Sequence, residues 1–227
     1  MDMKKILASI IMLACVGTIL AQANFKVKVV DKKRIVTGSQ EFAKTDREIF
    51  ANALLWAINS GEQLKENILD YDYEKLSYKM AYNLQQNEGT VYTAQLYIRV
   101  AQGRLVYLIE DIKGQSSGVG ALLGATSFDR MNPEKKPKQQ AMINEFEELS
   151  KRAIVSMLES VSSTETNVDQ WQAITLGQVV KGMSVSDVTL ILGKPIDKQV
   201  SGSITQYMYS QFTYVFFEDN KVKSVIQ

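Results

Sequence analysis

Apolar and polar residues alternate with a period of two in three successive segments near the middle of the chain. The apolar positions are Leu76, Tyr78, Met80, Tyr82 and Leu84, then Tyr92, Ala94, Leu96, Ile98 and Val100, then Leu105, Tyr107 and Ile109. This alternation is typical of strands with one buried face and one wet face, so the three segments predict an antiparallel meander. A shorter alternation of Phe25, Val27 and Val29 predicts a strand before it.

Helical spacing replaces this alternation on both sides of the meander. Thr45 and Glu48 match a capping box, and apolar residues recur at helical spacing from Ile49 to about Asn59. A polar stretch with Gly38 and Ser39 precedes that helix, and a second helix is predicted from about Gln139 to Ser160. Residues 24–163 therefore predict an α+β fold with helices on one face of an antiparallel sheet.

The last quarter of the chain predicts a separate small module over residues 170–227. A polar linker is predicted at Ser162 to Asn167, and Trp171 just beyond it is expected to pack across the junction. Ser184 and Asp187 form a second capping-box pattern, and Gly193 and Pro195 end the short helix that follows. Three strands are predicted after it, at 203–209, 212–217 and 222–226, with the turn Glu218-Asp219-Asn220-Lys221 before the last.

The first 23 residues have the pattern of a secretory signal peptide. Lys4 and Lys5 precede an apolar run that reaches Leu20 and ends in Ala21-Gln22-Ala23, a pattern that signal peptidase recognises. We therefore expect an exported protein in the periplasm or at the outer membrane, with no integral membrane span. A lipoprotein acylated at Cys15 is the alternative, although the residues after Cys15 continue the apolar run.

The composition of the chain limits the kinds of ligand that it is expected to bind. The chain has 26 basic and 25 acidic residues and no histidine, and its single cysteine, Cys15, lies in the leader. A nearly neutral chain is not expected to bind nucleic acid, which requires a basic excess on one face. Without histidine and with no cysteine beyond the leader, we expect no metal and no cofactor.

The segment from Gly114 to Lys138 interrupts the periodic pattern. It is rich in glycine and then apolar, and Pro133 and Pro137 bracket a basic stretch. It lacks the spacing of a phosphate-binding loop. A mobile surface loop is one interpretation. The other is an apolar contact loop for a partner, membrane surface or ligand, with Val119, Leu122, Leu123 and Phe128 as its candidate binding residues.

Carboxylate pairs are the remaining candidates for catalysis, because glycoside hydrolysis needs no histidine. The pairs are Glu110 with Asp111 and Asp70 with Asp72. Adjacent residues on a strand point to opposite faces, and Asp70 and Asp72 flank a tyrosine in a segment that predicts a polar turn. Neither pair predicts a catalytic constellation, so no catalytic residue is assigned.

The motif from Gly182-Met183 through Asp187-Val188 to Leu192-Gly193-Lys194-Pro195, with the strands after it, resembles the SmpA/OmlA family, also called BamE-like. The resemblance covers residues 174–227. It implies a helix pair against a small antiparallel sheet, used for protein binding or envelope assembly and shared with secreted inhibitors of β-lactamase.

The first segment, residues 25–163, is similar to an uncharacterised family with a TATA-binding-protein-like (TBP-like) fold, found in exported proteins of Bacteroides-type bacteria. The similarity lies in the order of elements and in residues 45–57. Both resemblances imply a non-enzymatic protein of the cell envelope that binds an envelope protein or a cell-surface component. A carboxylate-dependent hydrolase of an envelope glycan is the alternative, and the sequence leaves the oligomeric state open.

Overall fold

A large antiparallel sheet and two long helices make up the N-terminal part. The computed structural model describes residues 25–60, 68–85, 90–115, 124–163 and 170–227. The elements are β1 Lys28–Val30, β2 Lys33–Glu41, α1 Asp46–Ser60, β3 Ile68–Asp72, β4 Ser77–Gln85, β5 Val91–Ala101, β6 Arg104–Gln115, β7 Thr126–Ser127, a 3-10 helix at Phe128–Arg130, and α2 Pro137–Ser163. The strand order is β1-β2-β6-β5-β4-β3, and β7 pairs with β6.

The predicted meander is confirmed as β4, β5 and β6, which pair in sequence. Both helices contact the same face of this sheet. The alternating apolar side chains point towards that face and are buried, among them Tyr78, Leu96 and Tyr107. The α+β class with helices on one face is therefore confirmed.

Strand β2 lies where the sequence predicts a polar stretch. Its pairing with β6 brings Gly38 opposite Tyr107. A Cβ on Gly38 would lie 2.5 Å from the ring carbon Cζ of Tyr107. The glycine that breaks the strand pattern in the sequence is thus the residue that leaves room for the Tyr107 ring.

Helix α1 is buried along its whole middle. The predicted capping box at its start is confirmed, because the Glu48 carboxylate accepts from the Thr45 amide at 2.8 Å and the Glu48 amide donates to the Thr45 hydroxyl at 3.3 Å. Every residue from Ile49 to Ile58 is buried, including Asn52. A helix that is apolar on all sides needs partners on all sides, so α1 packs against more than the sheet.

The C-terminal part has two short helices and a four-stranded sheet. Its elements are α3 Trp171–Thr175, α4 Val185–Leu192, β8 Asp197–Ser201, β9 Ile204–Met208, β10 Tyr214–Glu218 and β11 Lys221–Ile226, and the strand order is β11-β10-β9-β8. The second capping box is confirmed, with the Ser184 hydroxyl and the Asp187 carboxylate bonding each other's amides. Gly193 ends the helix with a φ of 81°.

Strand β8 was not among the predicted strands, and the prediction that Phe212 starts a strand is wrong because β10 begins at Tyr214. All five residues of β8 are exposed, so no apolar alternation marks this edge strand. The turn between β10 and β11 is confirmed. Asp219 and Asn220 adopt φ values of 50° and 60°, which two-residue hairpin turns favour.

An aromatic cluster joins the two parts. The Phe50 ring of α1 packs edge-on against Tyr73 at 5.8 Å and against Trp171 at 6.2 Å between centroids. The Tyr73 hydroxyl donates to the carbonyl of Leu190 at 2.9 Å, near the C-terminal end of α4. The expectation that Trp171 packs across the junction is confirmed, and α1 is the helix on which both parts pack.

The first described residues are held against α2. The buried Glu147 carboxylate accepts from the Val27 amide at 2.9 Å and from the Lys26 ammonium at 2.6 Å. Hydrogen bonds to a charged carboxylate are among the stronger ones in proteins. One acidic side chain therefore fixes the segment that precedes β1.

The predicted leader, residues 1–23, lies outside the described residues, as does most of the predicted linker. Among the helices that the structure describes, none combines the length and apolar character of a membrane span.

We expect Gly38→Ala to destabilise the protein. Replacing a glycine within a strand by alanine normally stabilises a protein by about 0.5–1 kcal/mol. Here the added methyl overlaps the Tyr107 ring, and overpacking of this kind costs about 1–3 kcal/mol, so the clash decides the sign. Urea unfolding would measure the change, with Ser39→Ala on the same strand as the control. A Gly38→Ala variant as stable as that control would contradict the observed packing.

Candidate functional surfaces

The face of the large sheet opposite the helices carries partly exposed side chains on β5 and β6. Tyr97 lies near its centre, next to Leu108 on β6 and Lys79 on β4. One step along the sheet, Val106 lies next to Arg99. Val106 is 42% exposed and Tyr97 is 36% exposed. We call this surface the open face and define it by Thr37, Ser39, Lys79, Tyr97, Arg99, Val106 and Leu108.

The structure corrects one of the four residues predicted for a contact loop and leaves three unplaced. Val119, Leu122 and Leu123 lie outside the described residues. Phe128 is fully buried, with its ring 5.3 Å from Phe146 and 6.0 Å from Tyr92. The prediction that Phe128 is an exposed contact residue is wrong, because this ring fixes the end of the segment to the core.

One carboxylate of each acidic pair considered for hydrolysis is tied to local structure. Asp72 accepts from the amides of Glu74 and Lys75 at 2.9 Å and from the Lys75 ammonium at 2.8 Å. These hydrogen bonds, chiefly that from the Lys75 side chain, lower the pKa of Asp72. Asp111 occupies a bulge with a φ of 53° and pairs with Lys113 at 3.2 Å. Among the described residues, no three potential metal ligands of the His, Cys, Asp or Glu types converge.

Most tyrosines of the meander serve the core. Tyr78 donates to the carbonyl of Ala53 at 3.0 Å and Tyr92 donates to the Glu145 carboxylate at 2.7 Å, so each links the sheet to a helix. Burial raises the pKa of Tyr78 and of Tyr82, and it raises the pKa of Tyr107 to about 12. Strand tyrosines that point inward cannot form a stacking platform on the surface.

These phenols predict a loss of stability at alkaline pH. Unfolded tyrosine ionises near pH 10, whereas the buried phenols stay neutral to higher pH. The stabilisation is complete below about pH 10 and is lost above it, because the unfolded chain then releases protons that the folded chain keeps. The burial of Tyr78 and of Tyr82 should each lower the free energy of unfolding by about 1 kcal/mol per pH unit above 10.

Urea unfolding between pH 8 and 11, with tyrosinate absorbance followed in parallel, would measure this loss. We expect tyrosinate absorbance from these residues to appear together with unfolding. A free energy of unfolding that stays level up to pH 11 would contradict their burial.

Two grooves flank α1. The first, of about 710 Å³, lies at its N-terminal end between Arg47, Tyr73, Glu74 and Trp171. Arg47 stacks 5.7 Å from the Trp171 ring, and Asp46 accepts from the amides of Gln102 and Gly103. Two of the charged side chains of this groove are therefore already engaged by the fold.

The second groove, of about 580 Å³, lies where α1, α2, α4 and β9 meet, and we call it the junction groove. Trp56 and Tyr207 supply aromatic walls, and Ser160 and Ser186 supply hydroxyls that make no hydrogen bond to a described residue. Its full lining is Leu55, Trp56, Asn59, Ser60, Ser156, Ser160, Val185, Ser186, Thr189, Pro195 and Tyr207.

Sequence reasoning identified neither the open face nor the junction groove. The outward residues of β5 and β6 could have been read from the same alternation that gave the core. The junction groove brings together residues up to 152 positions apart, from Leu55 to Tyr207. No local pattern marks such a site, because the packing of α1 between the two parts creates it.

Two solved structures are similar to part of this chain. A TBP-like protein from Parabacteroides distasonis ATCC 8503 shares 14% identity and a TM-score of 0.49, over 61% of this chain and 99% of that chain. A DUF4468 family protein from Bacteroides ovatus ATCC 8483 shares 10% identity and a TM-score of 0.48, over 62% of this chain and 93% of that chain. No family model matches the sequence, and no curated protein matches it.

Proposed function

We propose that this protein is an exported, non-enzymatic module of the cell envelope that binds another protein through the open face. The observation that carries the proposal is a sheet face with exposed Tyr97 and Arg99 on its central strand. Tyrosine and arginine are the residue types that, with tryptophan, most often dominate binding energy at protein interfaces. Val106 and Leu108 add apolar area beside them.

The size of the open face suits a protein partner. The four long strands β2, β6, β5 and β4 have 9 to 12 residues each, which gives a planar area of roughly 600 Å². Side-chain relief brings the accessible area towards the roughly 800 Å² that each partner contributes to a stable complex. The C-terminal sheet, with strands of 5 to 6 residues, offers roughly 300 Å² by the same measure. The larger area therefore favours the large sheet as the surface that binds a protein partner.

The acidic residues support a binding role over hydrolysis. Asp72 closes a turn, Asp187 completes a helix cap, and Glu147 holds the segment before β1. Each carboxylate has a structural partner that its removal would leave unsatisfied.

Export and the kinship of the C-terminal part belong to the same proposal. The support for export is the leader pattern that ends at Ala23. The support for an SmpA/OmlA-like module is the reciprocal cap of Ser184 and Asp187, the positive φ of Gly193 and the four-stranded sheet after it. The N-terminal kinship to TBP-like exported proteins stays a prediction.

Val106→Asp should abolish capture of the partner. A charge within a contact surface must be desolvated on binding, so we expect at least a tenfold drop in recovery, or about 1.4 kcal/mol. The measurement is a pull-down from envelope extract with quantitative mass spectrometry. Val200→Asp is the matched control, because Val200 is also an exposed strand valine, 66% exposed on β8.

Circular dichroism would establish that both variants fold. Equal recovery of the same partner by Val106→Asp and by the unchanged protein would contradict the role of the open face. Failure to recover any specific partner would contradict the proposed function as a whole.

Protein purified from the envelope fraction should begin at Asn24. N-terminal sequencing and intact mass would measure this, and Cys15→Ala should leave both unchanged because cleavage removes that residue. An acylated N-terminus at Cys15 would establish the lipoprotein alternative instead. Uncleaved protein in the cytosol would contradict export.

A further inference from the structure

The polar groups that line the junction groove are uncharged, whereas the groove at the N-terminal end of α1 is lined by charged side chains. Its lining contains the hydroxyls of Ser60, Ser156, Ser160, Ser186 and Thr189 and the amide of Asn59. No side chain of this described lining carries a charge. A ligand that enters it meets groups that both donate and accept hydrogen bonds, with no ion to neutralise.

Two of these hydroxyls are available. Thr189 donates to the carbonyl of Val185 at 2.8 Å, and Ser60 donates to the carbonyl of Ala57 at 3.2 Å. Ser160 and Ser186, both half-buried, make no hydrogen bond to any described residue. A half-buried hydroxyl without a protein partner bonds water or a ligand, and a ligand hydroxyl can replace that water.

Aromatic rings wall the same space and are held in place. The Trp56 indole donates to the Ser156 hydroxyl at 3.3 Å. The Tyr207 ring packs 5.0 Å from Phe217. The carbon-bound faces of a sugar ring are apolar while its rim carries hydroxyls, so it matches a site of fixed aromatic walls and free hydroxyls.

Two lysines contact residues of the groove lining. Lys194 donates to the carbonyl of Asn59 at 2.8 Å, and the Lys198 ammonium lies 5.4 Å from the centre of the Tyr207 ring. Neither side chain belongs to the lining. Both ammonium groups are therefore already paired within the fold.

We propose that the junction groove binds an uncharged, hydroxyl-rich ligand, a short segment of neutral oligosaccharide. Its volume of about 580 Å³ falls within the range of small-molecule sites. Its walls come from α1, α2, α4 and β9, and the hydrogen bond from Trp56 to Ser156 joins α1 to α2, so the site is formed before the ligand arrives. The site is separate from the open face and does not depend on the proposed protein partner.

The two tryptophans of the chain provide a reporter and its control. Trp56 lines the junction groove and Trp171 lines the other groove. In a ¹⁵N–¹H correlation spectrum of the full chain, chitotriose or maltotriose up to about 10 mM should shift the Trp56 indole signal saturably and leave that of Trp171 in place. Parallel titrations use trigalacturonate as an anionic sugar and the neutral peptide Ser-Gly-Ser-Gly.

Variants of the groove hydroxyls sharpen the test. Ser160→Tyr fills the groove and should weaken sugar binding at least tenfold. Ser186→Ala removes one hydrogen bond and should weaken it about fivefold. Ser163→Tyr is the matched control on the same helix, outside the lining, and should bind as the unchanged chain does.

Saturable shifts of Trp56 by a neutral trisaccharide, lost in Ser160→Tyr, would support the proposal. It would be overturned by no shift with either trisaccharide, by equal binding of trigalacturonate, or by a response to the peptide alone. Retained sugar binding in Ser160→Tyr would overturn the placement of the site.

Discussion

The packing of α1 on all its sides is the constraint on which the rest of this structure depends. An isolated two-layer domain would leave one side of this helix in water, and its sequence would then carry polar residues there. Instead every residue from Ile49 to Ile58 is buried, and the one polar residue among them, Asn52, donates to the carbonyl of Val161 at 3.3 Å. The large sheet, α2 and the C-terminal module each cover part of α1, so the two parts of the chain form one apolar core.

Local patterns allowed much of the fold to be predicted. Period-two alternation located β4, β5 and β6, and hydroxyl–carboxylate pairs located the starts of α1 and α4, because these patterns express contacts within a few residues. Strand β2 was not predicted, because Gly38 interrupts its pattern to leave room for the Tyr107 ring on strand β6. Strand β8 was not predicted, because an edge strand with both faces exposed to water needs no apolar alternation.

The candidate surfaces were harder to predict for a related physical reason. Phe128 looked like an exposed apolar residue in a glycine-rich segment, and only the positions of Tyr92 and Phe146 show that it belongs to the core. The junction groove exists because α1 and β9 meet. The open face and the groove lie on opposite sides of the large sheet, so a protein on one and a ligand in the other would not compete for space.

The hydrogen bond from the Val27 amide to the Glu147 carboxylate limits access to the predicted cleavage site after Ala23. Val27 lies four residues beyond Ala23, and four extended residues reach at most about 14 Å. Once Val27 is fixed against α2, a peptidase bound to the membrane could reach the Ala23 bond only by approaching the folded body within that distance. If the leader is cleaved after Ala23, processing therefore comes before the first segment docks, while the chain is still emerging.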